Sequence, residues 1–134
     1  MLILFEAVLV KEFNSDTDLG RLAELWGNLC MIQQMRGGSH WMEKYQKSGL
    51  TWSEYLIKLT GLPESKALVF IMKEVVFGFT FFTIEKDLAT IREFYLEPGY
   101  KDKLNTDLVI EDIKSQLRNQ GVQFIEFDIK DLPI

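Results

Sequence analysis

Apolar and polar positions recur along this chain with two different periods, and those periods divide it into elements. Leu2 to Lys11 is dense in Leu, Ile and Val and predicts a first strand. Asn14, Ser15 and Asp16 break it. The Ser15/Asp16 region can cap a helix, with Asp18 in the first turn beside the positive helix end. Leu19, Leu22, Leu25, Trp26 and Leu29 then repeat at helical spacing, and Gly37-Gly38 marks the predicted end. Thr51 and Glu54 have capping-box spacing ahead of Tyr55, Leu56 and Leu59, so a second helix starts there, and Gly61 and Pro63 stop it. Between the two helices, Trp41 to Lys47 shows no decisive period.

Three strand-like runs follow: Ala67 to Met72, Val75 to Ile84 with Gly78 inside it, and Leu88 to Leu96. Pro98 lacks a ladder donor and closes the third. The links Lys73-Glu74 and Glu85-Lys86-Asp87 are short enough to imply antiparallel hairpins. Leu108, Val109, Ile113 and Leu117 line one helical face, and Gly121 is a C-terminal stop. From Val122 to Lys130, Ile125, Phe127 and Ile129 alternate with Glu126, Asp128 and Lys130, the pattern of a half-buried strand. The predicted order is β-α-α-β-β-β-α-β. No repeat or linker interrupts it, so residues 1–134 are expected to form a single α/β (α+β) domain.

Composition removes several function classes. One cysteine, Cys30, permits no intrachain disulfide and fits a reducing compartment. With one histidine, His40, beside that cysteine, no metal site of the usual nitrogen and sulfur type is expected. The net charge of −5 offers no general attraction for nucleic acid or anionic lipid. The apolar start is short, contains Glu6 and lacks a basic leader, so it is expected to be a strand and not a signal peptide. No stretch approaches the ~18 apolar residues needed to span a bilayer. A cytoplasmic protein with no membrane partner is expected.

The chemistry is concentrated after Ile91, where the chain runs IREFYLEPGYKDKLNTDLVIEDIKSQLRNQGVQFIEFDI. A strand ends in Phe94, Tyr95, Leu96 and Pro98. Lys101 opens a polar loop, Leu108 to Gln120 forms a helix, and Gly121-Val122 leads into the last strand. This stretch resembles the central motif of the GCN5-related N-acetyltransferases, in which an apolar-x-Pro strand end precedes an Arg/Gln-x-x-Gly-x-Gly loop, a helix and a strand. The chain looks like a degenerate and C-terminally short member. Its last residues, Asp131 to Ile134, leave no counterpart for that family's usual additional helix and two strands, or for the general-acid tyrosine they carry. The resemblance implies the acyl-CoA N-acyltransferase-like fold, a mixed and mostly antiparallel sheet with helices on both faces. It also implies acetyl-CoA as cofactor and direct attack by a small-molecule or peptide amine.

In such a loop the backbone amides at a helix N-terminus face a pyrophosphate, and glycines let the backbone approach it. Here Leu104 and Thr106 stand in the glycine places and Asp102 in the preceding small-residue place. Leu104 is expected to bring bulk near the phosphates and Asp102 to bring like charge. Lys101 and Lys103 partly compensate. The resemblance assigns cofactor contacts to Leu96, Lys101, Lys103, Leu104, Asn105 and Thr106, with the Leu96 amide holding the thioester oxygen at a local bulge.

Each assignment has an ordinary alternative. Glu93 is either a base acting through a water or a solvent-facing strand residue. Leu96 is an amide donor or a plain core leucine. Lys101 and Lys103 are phosphate partners or surface lysines, and Asn105 or Thr106 is a helix cap. Trp26, Trp41, Trp52 and Tyr45 wall an acceptor pocket or fill the core. Cys30 is a small core residue and His40 a surface residue. Two function classes remain: an N-acetyltransferase, and a non-catalytic binding or regulatory module on the same fold. An open sheet edge left by the short tail predicts a homodimer.

Overall fold

A computed structural model describes residues 7–35, 47–63 and 65–127, with the side chains of residues 33–35 and 101 set aside. Among the described residues, five strands form one sheet in the order β1-β2-β3-β4-β5. They are β1 (Leu9–Glu12), β2 (Ser65–Met72), β3 (Val75–Glu85), β4 (Leu88–Leu96) and β5 (Phe124–Phe127). The first four pair antiparallel and β4 pairs parallel with β5. Two helices, α1 (Leu19–Met35) and α2 (Trp52–Thr60), cover one face, and α3 (Thr106–Asn119) covers the other. This is the expected mixed sheet with helices on both faces, in the expected order.

Local chemistry accounts for most boundaries. Thr51 and Glu54 make both halves of the capping box at α2. The Lys73-Glu74 link turns with φ of 50° and 69°, which gives a two-residue hairpin the twist its strands need. At α1 the expected cap is displaced. The helix begins after Asp18, whose buried carboxylate accepts from the Asn14 amide at 2.9 Å and pairs with Lys11 at 3.2 Å. Asp18 thus fixes the loop leaving β1, while Ser15 and Asp16 lie in the preceding turn. In α3 the buried stripe is Val109, Ile110, Ile113 and Leu117, and Leu108 is exposed at the helix start. The expected start of β1 at Leu2, the end of α1 near Gly37, and Asp128 to Lys130 all lie outside the described residues.

The sheet separates two cores. Leu22, Leu25, Trp26, Leu29 and Cys30 of α1 and Tyr55, Leu56 and Leu59 of α2 pack on Val69, Phe79, Phe81 and Tyr95. Ile113 and Leu117 of α3 pack on Leu68, Phe70, Phe82, Ile91 and Phe94. Trp26 lies at the centre of the first core, 5.7 Å from the Phe79 ring and 5.9 Å from Phe81. It is a core residue, as one of its two readings had it.

Two irregularities set the phase of the sheet. Phe77 is an extra residue on β3 opposite the Phe70/Ile71 step, and Arg92 is an extra residue on β4 opposite the Phe81/Phe82 step. Gly78 follows the first. A Cβ there would lie 2.5 Å from the Tyr95 carbonyl oxygen and 2.9 Å from the Phe70 ring. We therefore expect Gly78→Ala to destabilise the protein by at least ~2 kcal/mol through overpacking. Gly20→Ala, at an exposed α1 position with open space around its Cβ, should instead add about 0.5 kcal/mol. Urea unfolding of both variants measures the contrast.

Candidate functional site

The candidate residues converge on the second half of β4 and the loop after it. Side chains alternate faces along a strand, so residues 89, 91, 93 and 95 would share a face in a regular β4. The Arg92 bulge breaks that pattern. Ala89 and Ile91 pack toward α3, whereas Glu93 pairs with Phe81, and Tyr95 with Phe79, on the α1/α2 face. Phe94 and Leu96 turn toward α3 instead. The Thr80 hydroxyl, fully buried, donates to the Glu93 carbonyl at 2.8 Å and holds this register. Glu93 is consequently buried at 4% exposure. That overturns its reading as a solvent-facing strand residue, because the bulge rotates it under α1. Arg92 lies on the same face, where its Nε donates to the Thr83 hydroxyl at 3.3 Å.

The bulge expected at Leu96 lies four positions earlier, at Arg92, and Leu96 itself pairs in register with Gly78. Its amide is directed by the ladder and not by a bulge. The Glu97 amide donates to the Phe77 carbonyl at 2.8 Å, so alternation of the antiparallel ladder turns the amides of Phe94 and Leu96 away from β3. They face the side on which the described part of β5 pairs with Leu88 to Ile91 alone.

Beside this strand end stands an ion pair that the sequence did not suggest. Arg21 of α1 donates through Nη2 to both Glu97 oxygens, at 2.8 and 2.9 Å, and through Nε to the Val76 carbonyl at 2.8 Å. Its Nη1 lies 3.1 Å from Glu24. The planar guanidinium thereby ties α1 to the start of β3 and the end of β4. Both partners of the Arg21–Glu97 pair are about a quarter exposed, so the pair is worth on the order of 1 kcal/mol. Residues 76 apart give no local sequence signal for such a contact. Buried Tyr95 stands beside it, its phenol pushed up by burial and by the Glu97 charge, with a hydrogen bond from Asn28 opposing.

After β4, the Tyr100 amide bonds to the Glu97 carbonyl at 3.2 Å, closing a turn in which Gly99 takes a φ of 96°. Lys101–Lys103 forms a 3-10 turn. Tyr100 stacks on Phe77 at 4.8 Å, and the Lys103 ammonium sits 5.3 Å from the Tyr100 ring. Leu104 is buried in the α3 core at 3% exposure, so its bulk is turned inward, away from the loop surface where the phosphates were expected. Asn105 is the cap of α3. Its Oδ1 accepts from the Asp107 amide at 3.1 Å and from Leu108 at 3.4 Å, while its carbonyl accepts from Val109. Thr106 is the first helical residue, and Asp107 adds a carboxylate to the first turn.

Cys30 faces Glu93 across the first core. Burial pushes its thiol up to about 12, and the Glu93 charge adds to the effect. It is therefore a buried thiol and not a nucleophile. Trp52 packs against α1 near Gly27. His40, Trp41 and Tyr45 lie outside the described residues. Among the described residues no cluster of His, Cys, Asp and Glu could hold a metal ion, and no helix is long and apolar enough to cross a membrane.

The backbone arrangement recurs in solved structures. A ribosomal-protein-alanine N-acetyltransferase from Brucella melitensis biovar Abortus 2308 superposes with a TM-score of 0.70 at 12% identity, over 95% of this chain and 83% of that one. The chain has the fold of the GCN5-related N-acetyltransferases. The aminoglycoside N-acetyltransferase AAC(6')-Iy in complex with CoA gives a TM-score of 0.66 at 12% identity, over 97% and 82% of the two chains. A Trypanosoma brucei acetyltransferase gives 0.63 at 15% identity, over 93% and 84%. No family model matches the sequence, and no curated protein matches it either. The acetyltransferase fold is thus carried here by a sequence that keeps the strand end, turn and helix of that fold's central motif without its loop glycines.

Because the folded thiol is held protonated well above its ordinary value near 9, the unfolded chain releases that proton first as pH rises. Stability from Cys30 is complete below about pH 9 and declines from there toward pH 12. We expect native protein at pH 8 to leave an aromatic disulfide reagent unreacted for hours. The same reagent should titrate one thiol after denaturation, followed by absorbance.

Proposed function

We propose that the chain transfers an acyl group from a thioester to an amine. The observation that carries this reading is the placement of Glu93 and Leu96 by the β4 bulge. A buried carboxylate faces the α1/α2 layer, the region that the family resemblance makes the acceptor wall. Three residues later, a backbone amide points away from β3 at the end of the strand. The acetyltransferases of similar fold, including the aminoglycoside enzyme in complex with CoA, support the same chemical class.

In this reading Glu93 accepts a proton from the ammonium form of the acceptor through an intervening water. The freed nitrogen attacks the thioester carbonyl carbon. The carbonyl oxygen becomes an oxyanion and accepts the Leu96 amide. The oxyanion then re-forms the carbonyl, the carbon–sulfur bond breaks, and the proton that the attacking nitrogen still carries in excess passes through water to the departing thiolate, leaving a neutral amide and a free thiol. Tyr95 and the Arg21–Glu97 pair hold the strand end in place, and neither touches the reacting atoms.

A specific observation favours a second reading. Asn105 occupies amides of the α3 start that the family's loop offers to a pyrophosphate, which fits a non-catalytic module that binds a thioester or a protein. Amine-dependent thiol release separates the two readings. With acetyl-CoA or S-acetylpantetheine and a panel of polyamines, aminoglycosides and peptide N-termini, we expect release that requires the amine. Glu93→Gln should lower the rate roughly 100-fold, and the remaining rate should lose its acidic pH limb. Release unaffected by Glu93→Gln would remove the base. Thioester binding with no release for any amine would select the module.

A further inference from the structure

We infer that this site recognises its donor through the pantetheine arm and the thioester, and not through a nucleotide diphosphate, so that its donor class is acyl-pantetheine thioesters in which the nucleotide is dispensable. The inference rests on the acyl-transfer reading and names the donor for it.

A diphosphate at a helix N-terminus needs unspent amide donors and a positive local potential. The start of α3 supplies neither in full. Of its first three amides, those of Asp107 and Leu108 already have a partner within the chain, the Asn105 side chain. A phosphate oxygen would have to displace that side chain, losing a cap worth about fivefold in affinity. The charge is adverse as well. The segment from Glu97 to Leu108 holds three carboxylates, Glu97, Asp102 and Asp107, against two lysines, Lys101 and Lys103. Asp102 and Asp107 are exposed on the turn and the first helical turn that a diphosphate would approach. The Lys103 ammonium lies over the Tyr100 ring, itself stacked on Phe77. Glycines would let backbone close around phosphate oxygens. At their two places stand Leu104, which anchors the loop in the α3 core, and Thr106.

The strand end offers what a pantetheine arm can use. That arm carries two amide groups, and an extended chain with amides can lie along a strand edge as an added strand does. Phe94 and Leu96 direct their amides away from β3, on one side of β4 and two residues apart. The contacts that hold a thioester can therefore form without those that hold a nucleotide.

Calorimetric titration of the whole chain with acetyl-CoA and with S-acetylpantetheine tests the inference. We expect dissociation constants within about threefold of each other. Acetyl-CoA binding tighter by roughly tenfold or more would overturn the inference and leave the acyl-transfer reading standing. Failure of both thioesters to bind at millimolar concentration would overturn both. Asn105→Gly removes the competing oxygen at small cost to the helix. It should strengthen acetyl-CoA binding about threefold and leave S-acetylpantetheine unchanged. No strengthening of acetyl-CoA binding in that variant would overturn the Asn105 cap as the reason the nucleotide goes unrecognised.

Discussion

One extra residue in β4 decides which way the second half of that strand faces. A strand has a period of two, so inserting Arg92 between paired positions inverts every side chain beyond it. Without it Glu93 and Tyr95 would point into the α3 core and Phe94 and Leu96 into the α1/α2 core. With it the carboxylate faces α1, beside Cys30 and under the same layer as Trp26, while two apolar residues complete the opposite core. The Thr80 hydroxyl, buried among apolar neighbours, is satisfied by the Glu93 carbonyl at the point of irregularity. A buried hydroxyl left unpaired would be costly, so this hydrogen bond opposes slippage back to a regular ladder.

The strand end is then held from the side by Arg21. Its guanidinium reaches the Val76 carbonyl at the start of β3 and the Glu97 carboxylate just after β4, so α1 is tied to both strand ends. Energetically the pair is modest. Its geometric role is larger, because Glu97 immediately follows the residue whose amide ends the strand. Gly78 serves the same end by its smallness, allowing the backbone at Tyr95 to approach closely. The loop that follows is organised by its own side chains: Tyr100 on Phe77, Leu104 in the core and Asn105 on the helix amides. These contacts hold the loop in one shape, with the Asp107 and Leu108 amides already taken by Asn105.

The fold was legible because it rests on short-range signals. The Thr51/Glu54 box, the Lys73-Glu74 hairpin, the β4 run closed by Pro98 and the α3 period all survive in the structure. The order of elements followed from them. The site was legible only in part, and the reason is physical. Glu93, Leu96 and Asn105 could be named from the motif, but the burial of Glu93 depends on a bulge that leaves no mark in composition or period. The Arg21–Glu97 contact joins residues far apart in the chain and is visible only once α1 lies across the sheet. Leu104 looked like bulk at the loop surface because the motif alignment placed it where glycine stands. Its extended φ and ψ of −137° and 163° turn the side chain inward instead. Leu108 matched the apolar period and is exposed, because the buried stripe of α3 runs through Val109, Ile110, Ile113 and Leu117 and leaves position 108 on the outer face.

On the proposed reading the end of β4 engages the donor, whereas amides at the start of α3 are already taken by Asn105. Amide resonances of isotope-labelled protein, followed as S-acetylpantetheine and then acetyl-CoA are added, measure that contrast residue by residue. The account predicts that both ligands shift the Phe94 and Leu96 amides and leave those of Asp107 and Leu108 in place. Large shifts at Asp107 and Leu108 on adding acetyl-CoA, with Leu96 unmoved, would contradict it.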